Sequence, residues 1–597
     1  MTETIEEIVA RHAGGGRIVD TIEAVYARIG AHADPALFIA LRPKADALAE
    51  AAALDAAGAA GRPLFGVPFA VKDNIDFAGL PTTAACPAFA YEPAKSSFVV
   101  ERLQAAGAIV VGKTNLDQFA TGLVGVRSPY GVPRNALRAE LIPGGSSSGS
   151  ATAVAAGLVP FALGTDTAGS GRVPAALNGI VGLKPTLGSL SASGVVPACR
   201  TLDTISVFAL TVGDAFAVYR IAAGYDAADA YSRPFPEPRL ASPPPHLRIG
   251  APRPEQRVFL GDAEAERAFA ADLERLAALG ATIVEFDIAP FFEVARLLYE
   301  GPWVAERYAA TKRLIESRPD TLLPVTRKII EGARNFDAVA AFEAAYKLAV
   351  QRRASEAAWR TFDVMAVPTM PRFYTRAEVE ADPIKTNSNL GTYTNFVNLL
   401  DLCAFAYPSG VRGDGLPSSV TLIARAGADG LIAAIAARAH AASGAPIGAT
   451  GRAPSPAPRF EAAGDRIELA VVGAHLSGLP LNGELAALGA EFVREARTRA
   501  DYRLYALPNA KPAKPGLLRV APGQGAEIEV EIWSLAPAAF GSFVAAIPPP
   551  LGIGTLAFED GTNAKGFLVE AEGVKGAEDI SGFGGWRTYV SGRPAPH

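Results

Sequence analysis

One lysine and two glycine-rich, serine-bearing segments are the residues of this sequence best suited to covalent chemistry. They are Lys72 in VPFAVKDNID, Ser146 in PGGSSSGSA and Ser170 in GTDTAGSGRVPA. A serine hydroxyl at its ordinary pKa is a weak nucleophile and needs an adjacent base, which is most often histidine. None of the six histidines falls between residues 64 and 200, where the glycines and serines concentrate. The pattern therefore predicts a serine hydrolase whose proton acceptor is a lysine.

Lys72 follows the apolar run 63–71, which predicts a strand that enters the core. A lysine at the buried end of a strand is desolvated. Desolvation disfavours the ammonium form, so the pKa of the lysine falls and the side chain can act as a neutral base. The alternative is a lysine that extends to the surface or pairs with Asp73 or Asp76. The residues alone leave both interpretations open.

The segment GGSSSGS at 144–150 could be a flexible linker, a phosphate-binding loop or part of an active site. An alanine-rich apolar segment at 151–163 follows it directly, which places the glycines inside a folded unit. A Walker loop needs Gly-Lys-Ser/Thr, and here Gly149 is followed by Ser150. A backbone that requires unusual dihedral angles or close approach therefore explains these glycines best.

The segment TDTAGSGR at 165–172 predicts a turn that binds an anion. Its backbone could direct successive N–H groups inward, and such a nest stabilises a developing oxyanion. Asp166 and Arg172 flank the turn, and we expect them to lock it by an ion pair rather than to contact substrate. The N–H groups predicted to form the oxyanion hole are those of Thr167, Ala168, Gly169 and Ser170.

The run from 66 to 186 resembles the amidase signature family without gaps, through VKDNID, GKTNLDQFATG and PGGSSSGSATAVAAGLVPFALGTDTAGSGRVPAALNGIVGLKPT. The resemblance implies an α/β fold with a mixed β-sheet flanked by helices. It also implies a Ser-cis-Ser-Lys triad in which Lys72 is the base, Ser146 the bridging serine and Ser170 the nucleophile. Gly122, the last residue of GKTNLDQFATG, would contribute to substrate binding.

Three further segments resemble the allophanate hydrolase branch of this family: TLDTISVFA at 201–209, LLYEGPWVAERY at 297–308 and NSNLGTYTNFVNLLDL at 387–402. Members of the branch are thought to hold the substrate carboxylate with a tyrosine and an arginine, which the resemblance places at Tyr299 and Arg307. Their spacing would allow both to lie on one face of a single helix. An amphipathic helix with a packed tyrosine and a solvated arginine would explain the same residues structurally.

Length and composition predict more than one domain. The 597 residues exceed what one core usually organises. Residues 1–443 would form the amidase signature domain, and the Gly/Pro/Ala-rich segment 444–465 a linker. Within the first domain we expect strands at 247–254 and 281–288 around a helix at 262–279, and a long helical stretch over about 291–357.

Residues 466–597 form short strand-like segments and predict a smaller α+β domain. This part resembles the C-terminal domain of allophanate hydrolases, which is similar to gamma-glutamyl cyclotransferase-like folds, and VVGAHLSGLPLN at 471–482 is its most specific match. The resemblance makes His475 a candidate base for a second step. A lone histidine in a loop is more often a structural hydrogen-bonding group.

Charge and cysteine content limit the compartment and the partners. The net charge is −5, basic residues are scattered, and the three cysteines, Cys86, Cys199 and Cys403, suggest neither a disulfide framework nor a metal cluster. The N-terminus does not resemble a signal peptide, and no apolar run reaches the length of a membrane span. We therefore expect a cytoplasmic protein that binds neither nucleic acid nor membranes.

The resemblance implies hydrolysis of allophanate at its terminal amide to ammonia and N-carboxycarbamate, as a step of urea degradation. Decarboxylation would follow spontaneously or with help from the C-terminal domain. The resemblance implies no cofactor and no metal. It does imply a homodimer and a functional link to a biotin-dependent urea carboxylase. The alternatives are an amidase for another small acyl amide, the glutaminase-type subunit of a tRNA-dependent amidotransferase, and a catalytically inactive scaffold protein.

Overall fold

The computed structural model of the chain describes residues 2–240, 242–454, 456, 464–508 and 510–592. The chain divides into two compact units. The first comprises Met1–Arg239, Ile249–Leu279 and Ile283–Pro458, and the second comprises Leu240–Arg248, Gly280–Thr282 and Arg459–His597. Two short segments from the middle of the chain thus belong to the second unit. In the segment 444–465 predicted to be a linker, residues 455 and 457–463 lie outside the described residues.

The first unit is organised around one mixed β-sheet. Its strands are β1 (Phe38–Leu41), β2 (Pro68–Lys72), β3 (Ile109–Thr114), β4 (Phe161–Asp166), β5 (Val181–Lys184), β6 (Thr204–Ala209), β7 (Arg248–Pro252), β8 (Thr282–Phe286), β9 (Val364–Pro368), β10 (Leu402–Val411) and β11 (Pro417–Arg425). The strand order is β1-β3-β2-β4-β6-β5-β10-β11-β9-β7-β8. β2 is parallel to β3 and β4, whereas β4 and β6 are antiparallel.

Helices accompany this sheet along the whole unit. They are α1 (Ile5–Ala13), α2 (Ile18–His32), α3 (Lys44–Ala57), α4 (Phe98–Ala105), α5 (Ser148–Ala155), α6 (Val173–Asn178), α7 (Val212–Ala222), α8 (Ala263–Ala278), α9 (Ala289–Glu300), α10 (Val304–Ser317), α11 (Pro324–Glu331), α12 (Ala338–Ser355), α13 (Arg376–Ala381), α14 (Lys385–Leu390), α15 (Asn395–Leu399) and α16 (Asp429–Ala442). The central strands are buried along their whole length. The architecture confirms the predicted α/β fold with a mixed sheet flanked by helices.

The helix predicted at 262–279 is confirmed as α8, with Asp262 at its N-cap accepting a hydrogen bond from Ala265 N at 3.0 Å. The long helical stretch predicted over about 291–357 is helical but not continuous. The chain there is divided into α9, α10, α11 and α12. Pro302, Pro319 and Pro324 lie in the breaks or at the next helix start, because proline lacks the backbone donor and disfavours a helical residue before it.

The second unit contains two smaller sheets. Its strands are β12 (Ile467–Val471), β13 (Glu491–Arg497), β14 (Tyr502–Ala506), β15 (Pro515–Arg519), β16 (Glu529–Leu535), β17 (Leu551–Ala557), β18 (Asn563–Val569) and β19 (Glu578–Asp579). One sheet has the order β13-β16-β12-β18-β17 and the other β15-β14-β19. The helices are α17 (Asn482–Ala487), α18 (Pro537–Ala545) and α19 (Trp586–Val590). This composition confirms a separate α+β domain.

In the described part of the chain, no helix is both long enough and apolar enough to cross a membrane.

Candidate active site

Two parallel neighbouring strands bring the predicted base and the predicted anion-binding turn to the same edge of the sheet. Phe69 of β2 pairs with Phe161 of β4. Lys72 is the last residue of β2 and Asp166 the last residue of β4. Because parallel strands end at the same sheet edge, the turn that follows β4 starts beside Lys72.

Lys72 is fully buried, and its Nζ donates hydrogen bonds to Ser146 Oγ at 2.8 Å and to Thr165 Oγ1 at 2.7 Å. The interpretations of Lys72 as a surface lysine or as the partner of Asp73 or Asp76 are therefore wrong. Asp73 forms an ion pair with Lys113 instead, with Oδ1 of Asp73 lying 3.4 Å from Nζ of Lys113. The Thr165 contact was missed, although Thr165 stands next to Asp166 in the motif.

The environment of Lys72 makes the neutral amine available near neutral pH. Burial lowers the pKa of Lys72 to about 7, although the carboxylates of Asp117, Asp203 and Asp166 oppose that shift. Without burial the ammonium would persist far above neutrality. Lys72 thus has the property that the strand pattern predicted, an amine able to accept a proton at physiological pH.

The backbone around Ser146 is held by Asp117. The peptide bond between Gly145 and Ser146 is cis, and Ser146 O accepts a hydrogen bond from Asp117 N at 3.0 Å. The Asp117 carboxylate accepts from Gly125 N and Arg127 N, each at 2.9 Å. A Cβ on Gly145 would lie 2.1 Å from Asp117 Oδ2, so this position accommodates only glycine. Asp117 was not among the predicted site residues, although it lies in GKTNLDQFATG.

The turn after β4 is locked by the predicted Asp166–Arg172 ion pair, which is confirmed. Arg172 donates to both Asp166 carboxylate oxygens at 2.9 Å, and both side chains are fully buried. Although burial opposes it, Arg172 holds the pKa of Asp166 below its usual value. The same carboxylate accepts from Gly169 N at 2.9 Å and Gly171 N at 3.0 Å. The Gly169 N–H therefore already has a partner.

The remaining N–H groups of the turn, unlike that of Gly169, are available to a ligand. Among the described residues, the N–H groups of Thr167, Ala168 and Ser170 donate to no other protein group. Ser170 is almost completely buried. Ser146 Oγ is bonded to Lys72, and within the described residues no hydrogen bond joins it to Ser170 Oγ. The turn thus leaves three donors for an incoming anion.

Two distant segments brace the turn. The Thr167 hydroxyl donates to the Asp203 carboxylate, which also accepts from two backbone N–H groups of the loop 198–203. Burial raises the pKa of Asp203 to about 6. Thr394 Oγ1 donates to Ala168 O at 2.6 Å. The two bracing residues lie in TLDTISVFA and NSNLGTYTNFVNLLDL, and neither was predicted individually.

Tyr299 and Arg307 contact each other, but they do not share a helix. Tyr299 lies in α9 and Arg307 in α10, and Gly301 and Pro302 lie between the two helices. The predicted placement on one helical face is therefore wrong. Arg307 Nη2 nevertheless donates to Tyr299 Oη at 3.3 Å.

Arg307 is oriented by the loop that contains Gly122. Its Nη1 donates to Ala120 O and Thr121 Oγ1, both at 3.1 Å. Arg307 is only 3% exposed, so the interpretation as a solvated arginine is wrong. A Cβ on Gly122 would approach Asp117 Oδ2 to 2.7 Å, which explains the glycine. Gly122 thus follows directly after a residue that binds Arg307.

His475 lies in the second unit, beside a cavity of about 280 Å³ that Lys514 also lines. Its Nε2 is 3.0 Å from a Glu484 carboxylate oxygen, and its ring stacks on Phe567 at 5.4 Å. Burial lowers the pKa of His475, although Glu484 opposes the shift. His475 is therefore a neutral, oriented imidazole at neutral pH, compatible with either the structural or the chemical interpretation.

The first unit's site thus combines a buried amine, two serine hydroxyls, free backbone donors and a buried guanidinium. Such a set can deprotonate a hydroxyl nucleophile, stabilise a tetrahedral oxyanion and hold a carboxylate. In the described residues, no group of three or more His, Cys, Asp or Glu side chains is placed to hold a metal ion.

Comparison with known proteins matches residues 20–432 to the amidase family and residues 467–591 to the allophanate hydrolase C-terminal domain. The urea amidolyase of Saccharomyces cerevisiae is 47% identical over 88% of this chain, and the chain spans about 30% of its length. An allophanate hydrolase structure from Kluyveromyces lactis matches with a TM-score of 0.78 and 41% identity, covering 99% of both chains. A glutamyl-tRNA(Gln) amidotransferase subunit from Thermotoga maritima matches with a TM-score of 0.62 and 28% identity, covering 77% of this chain and 98% of that one.

Proposed function

Because the chain belongs to the amidase family and also has an allophanate hydrolase C-terminal domain, we propose that it hydrolyses allophanate at the terminal amide. The observation that carries the proposal is the buried contact of 2.8 Å between Lys72 Nζ and Ser146 Oγ, next to the turn that bears Ser170. This contact pairs an amine of near-neutral pKa with a hydroxyl, as a lysine-driven serine hydrolase requires. The likeness to an allophanate hydrolase along the whole chain supports the choice of substrate.

The proposed reaction begins with attack of Ser170 Oγ on the carbonyl carbon of the terminal amide of allophanate. Ser170 passes its proton to Ser146, which passes its own to the neutral amine of Lys72. The negative oxygen of the tetrahedral intermediate is stabilised by the N–H groups of Thr167, Ala168 and Ser170. The Gly169 N–H, which accompanied them in the sequence prediction, acts instead through Asp166 to shape the turn.

Collapse of the intermediate breaks the carbon–nitrogen bond. The relay returns the proton through Ser146 to the leaving nitrogen, so that ammonia departs and an acyl group remains on Ser170. A water molecule, deprotonated by the same relay, then attacks the acyl carbon. Release of Ser170 yields N-carboxycarbamate.

The substrate carboxylate would be held by Arg307 and Tyr299, with Gly122 leaving room beside them. Arg307 suits a carboxylate because its planar guanidinium can donate two parallel hydrogen bonds. Its contacts with Ala120 O and Thr121 Oγ1 use one terminal nitrogen and orient the other toward Tyr299. Recognition of a charged end would distinguish allophanate from neutral amides.

The test is an ammonia assay with the purified chain on allophanate, malonamate, biuret and a simple neutral amide. We expect the fastest release from allophanate, slower release from malonamate and little from the uncharged amides. Equal rates on charged and neutral amides would indicate another amidase. Ammonia release that requires an added protein partner would favour the amidotransferase-type glutaminase instead.

The activity should depend on pH through the protonation of Lys72. The ammonium form cannot accept a proton, so kcat/KM for allophanate should rise as pH increases through about 7. Asp203→Asn should shift this rise to lower pH, because the Asp203 carboxylate opposes the lowering of the Lys72 pKa. The pH profiles of the two proteins test both statements. A flat profile across neutrality, or an unmoved one in an Asp203→Asn protein that folds and turns over, would contradict them.

We propose that the second unit acts on the product, with His475 as a candidate base in decarboxylation of N-carboxycarbamate. In the full-length chain, His475→Ala should leave the rate of ammonia release unchanged, because the triad belongs to the first unit. Carbon NMR should then show slower carbon dioxide formation or accumulation of N-carboxycarbamate. Loss of ammonia release in a folded His475→Ala protein would contradict this separation.

A chain cut near Gly451 should also release ammonia from allophanate. The truncation is harder to interpret than the His475→Ala variant. Leu240–Arg248 and Gly280–Thr282 belong to the second unit and would lose their surroundings in the truncated chain. Its rate of ammonia release should therefore be compared with that of the uncut chain only after an unfolding transition has shown that the truncated chain is folded.

We further propose a cytoplasmic homodimer that is functionally linked to a biotin-dependent urea carboxylase. The cysteines Cys86, Cys199 and Cys403 are free and buried, which suits a reducing compartment. The link to the carboxylase is supported by the likeness to urea amidolyase, of which the chain spans about 30%.

A further inference from the structure

Two buried guanidinium groups contact Thr121, the residue before Gly122. Arg127 Nη1 donates a hydrogen bond to Thr121 O at 2.9 Å, and Arg307 Nη1 donates one to Thr121 Oγ1 at 3.1 Å. Thr121 is fully buried, and the two arginines are only 2% and 3% exposed. Arg127 was not among the predicted site residues. The structure nevertheless joins it, through one threonine, to the arginine that is proposed to hold the substrate carboxylate.

The charges of these two arginines are not neutralised by the protein. In the described part of the chain, neither guanidinium forms an ion pair with a carboxylate. The Nε–H group of Arg127 is buried and has no hydrogen-bond partner among the described residues. Arginine stays protonated in proteins, and a buried charge without a counter-charge is costly. A bound carboxylate would supply the missing negative charge, so the pair suits a site for anionic ligands.

The turn before Thr121 has an unusual backbone that presents a second acceptor to Arg307. Phe119 and Ala120 both have a φ of 51°, in the left-handed region that residues other than glycine seldom adopt. Ala120 O accepts a hydrogen bond from Arg307 Nη1 at 3.1 Å. Backbone strain of this kind persists only where the surrounding contacts impose it. The orientation of Arg307 therefore depends on what holds residues 119–121.

Arg127 holds the end of this turn. Its guanidinium bridges Thr121 O and Pro383 O, and so joins the turn to the segment between α13 and α14. A Cβ on Gly122 would lie 2.7 Å from Asp117 Oδ2 and 3.1 Å from Arg127 Nη1, so the guanidinium fits closely against the turn. The bridge requires donors in a planar fork, which arginine has and lysine lacks.

We propose that Arg127 is a positioning residue for carboxylate recognition, which holds Thr121 so that Arg307 directs its other terminal nitrogen toward the substrate. This inference rests on the proposed hydrolysis of allophanate and deepens it, because it names what sets the preference for an anionic amide. Arg127 acts through Thr121 and Arg307 and needs no contact with the substrate. A purely structural Arg127 would instead affect charged and neutral substrates alike.

Arg127→Met tests the proposal, since it removes the fork and keeps a long apolar side chain. We expect kcat/KM for allophanate to fall at least about tenfold, mainly through a higher KM, with a much smaller loss on a simple neutral amide. Arg127→Lys should recover only part of the loss, because one ammonium group cannot reproduce the bridge. In a Ser170→Ala background, calorimetry should show the same loss of affinity for allophanate without turnover.

Arg376→Met is the matched control. Arg376 Nη2 also donates to a backbone oxygen, that of Pro133 at 3.2 Å, and its buried Nε–H has no partner among the described residues. This variant should leave the ratio of kcat/KM for allophanate to kcat/KM for the neutral amide unchanged. Arg127→Met added to Arg307→Ala should lower that ratio little further, because residues that act through one another are not additive.

The ratio also decides against the proposal. An Arg127→Met protein with a wild-type unfolding transition that keeps the wild-type ratio, or that loses activity equally on both substrates, would overturn it. A fully additive loss with Arg307→Ala would overturn the action through Arg307. If Arg127→Met does not fold, Arg127→Lys decides by the same ratio. A wild-type chain without preference for allophanate would contradict the proposed function itself, and this result is distinguishable because it needs no variant.

Discussion

Ser170→Ala is expected to abolish ammonia release from allophanate, with a loss of at least about 10⁴-fold in kcat, because no hydroxyl remains to form the acyl bond. Lys72→Ala should cause a loss of similar size, since the proton then has no acceptor. Ser146→Ala should reduce turnover by orders of magnitude. The double variant Ser170→Ala/Lys72→Ala should be little worse than either single variant, because residues that act as one unit are not additive.

Ser148→Ala is the matched control for these variants. Ser148 is buried in the same segment as Ser146, and among the described residues its hydroxyl donates only to Asn115 O, at 3.4 Å. It should keep most of the activity, and the thermal unfolding of all variants shows whether each has folded. A Lys72→Ala protein with near-native activity at neutral pH would contradict the assignment of lysine as the base.

Arg307→Ala is expected to lose about 30-fold or more in kcat/KM for allophanate, the lower end for removing the buried partner of a carboxylate. The loss on a neutral amide should be much smaller, because that substrate has no carboxylate to bind. The ratio of the two kcat/KM values is the measurement.

The same ratio distinguishes recognition of the substrate carboxylate by Arg307 from a purely structural role of this residue. Arg307 also donates to Ala120 O and Thr121 Oγ1, so its removal could disturb the loop beside Asp117. Such a disturbance would reduce both rates equally, and that outcome would contradict the proposed recognition of carboxylate. Tyr299→Phe removes only the hydroxyl 3.3 Å from Arg307 and should shift the ratio in the same direction by a smaller factor.

The parts of this site that the sequence could predict lie in short continuous motifs. A strand followed by lysine predicted the desolvation of Lys72, and the Asp166–Arg172 pair followed from a spacing of six residues within one turn. The overall α/β organisation followed from periodicity and from family resemblance. These features depend on neighbours along the chain, which the sequence displays directly.

The missed contacts depend on residues far apart in the chain. Asp203 reaches Thr167, and Thr394 reaches Ala168, across sequence separations of 36 and 226 residues. No local pattern reports which distant side chain will brace a turn. The predicted single helix for Tyr299 and Arg307 failed for a local reason, since the Gly301-Pro302 pair ends one helix before the next begins.

Local composition also could not predict how the chain divides into two units. The Gly/Pro/Ala-rich segment 444–465 suggested one boundary, whereas Leu240–Arg248 and Gly280–Thr282 join the second unit through tertiary contacts. Both segments lead directly into strands of the first unit's sheet, β7 and β8, so local pattern could not assign them to the second unit. Their membership follows only from the folded chain.

The most direct test of the central claim, that Ser170 is acylated during turnover of allophanate, is mass spectrometry of the chain after reaction with a fluorophosphonate probe for activated serines. We predict one adduct, on Ser170, that forms at the rate at which ammonia release is lost, is slowed by allophanate and is nearly absent in Lys72→Ala. Loss of activity with the adduct on another residue, or full activity with Ser170 modified, would contradict the account.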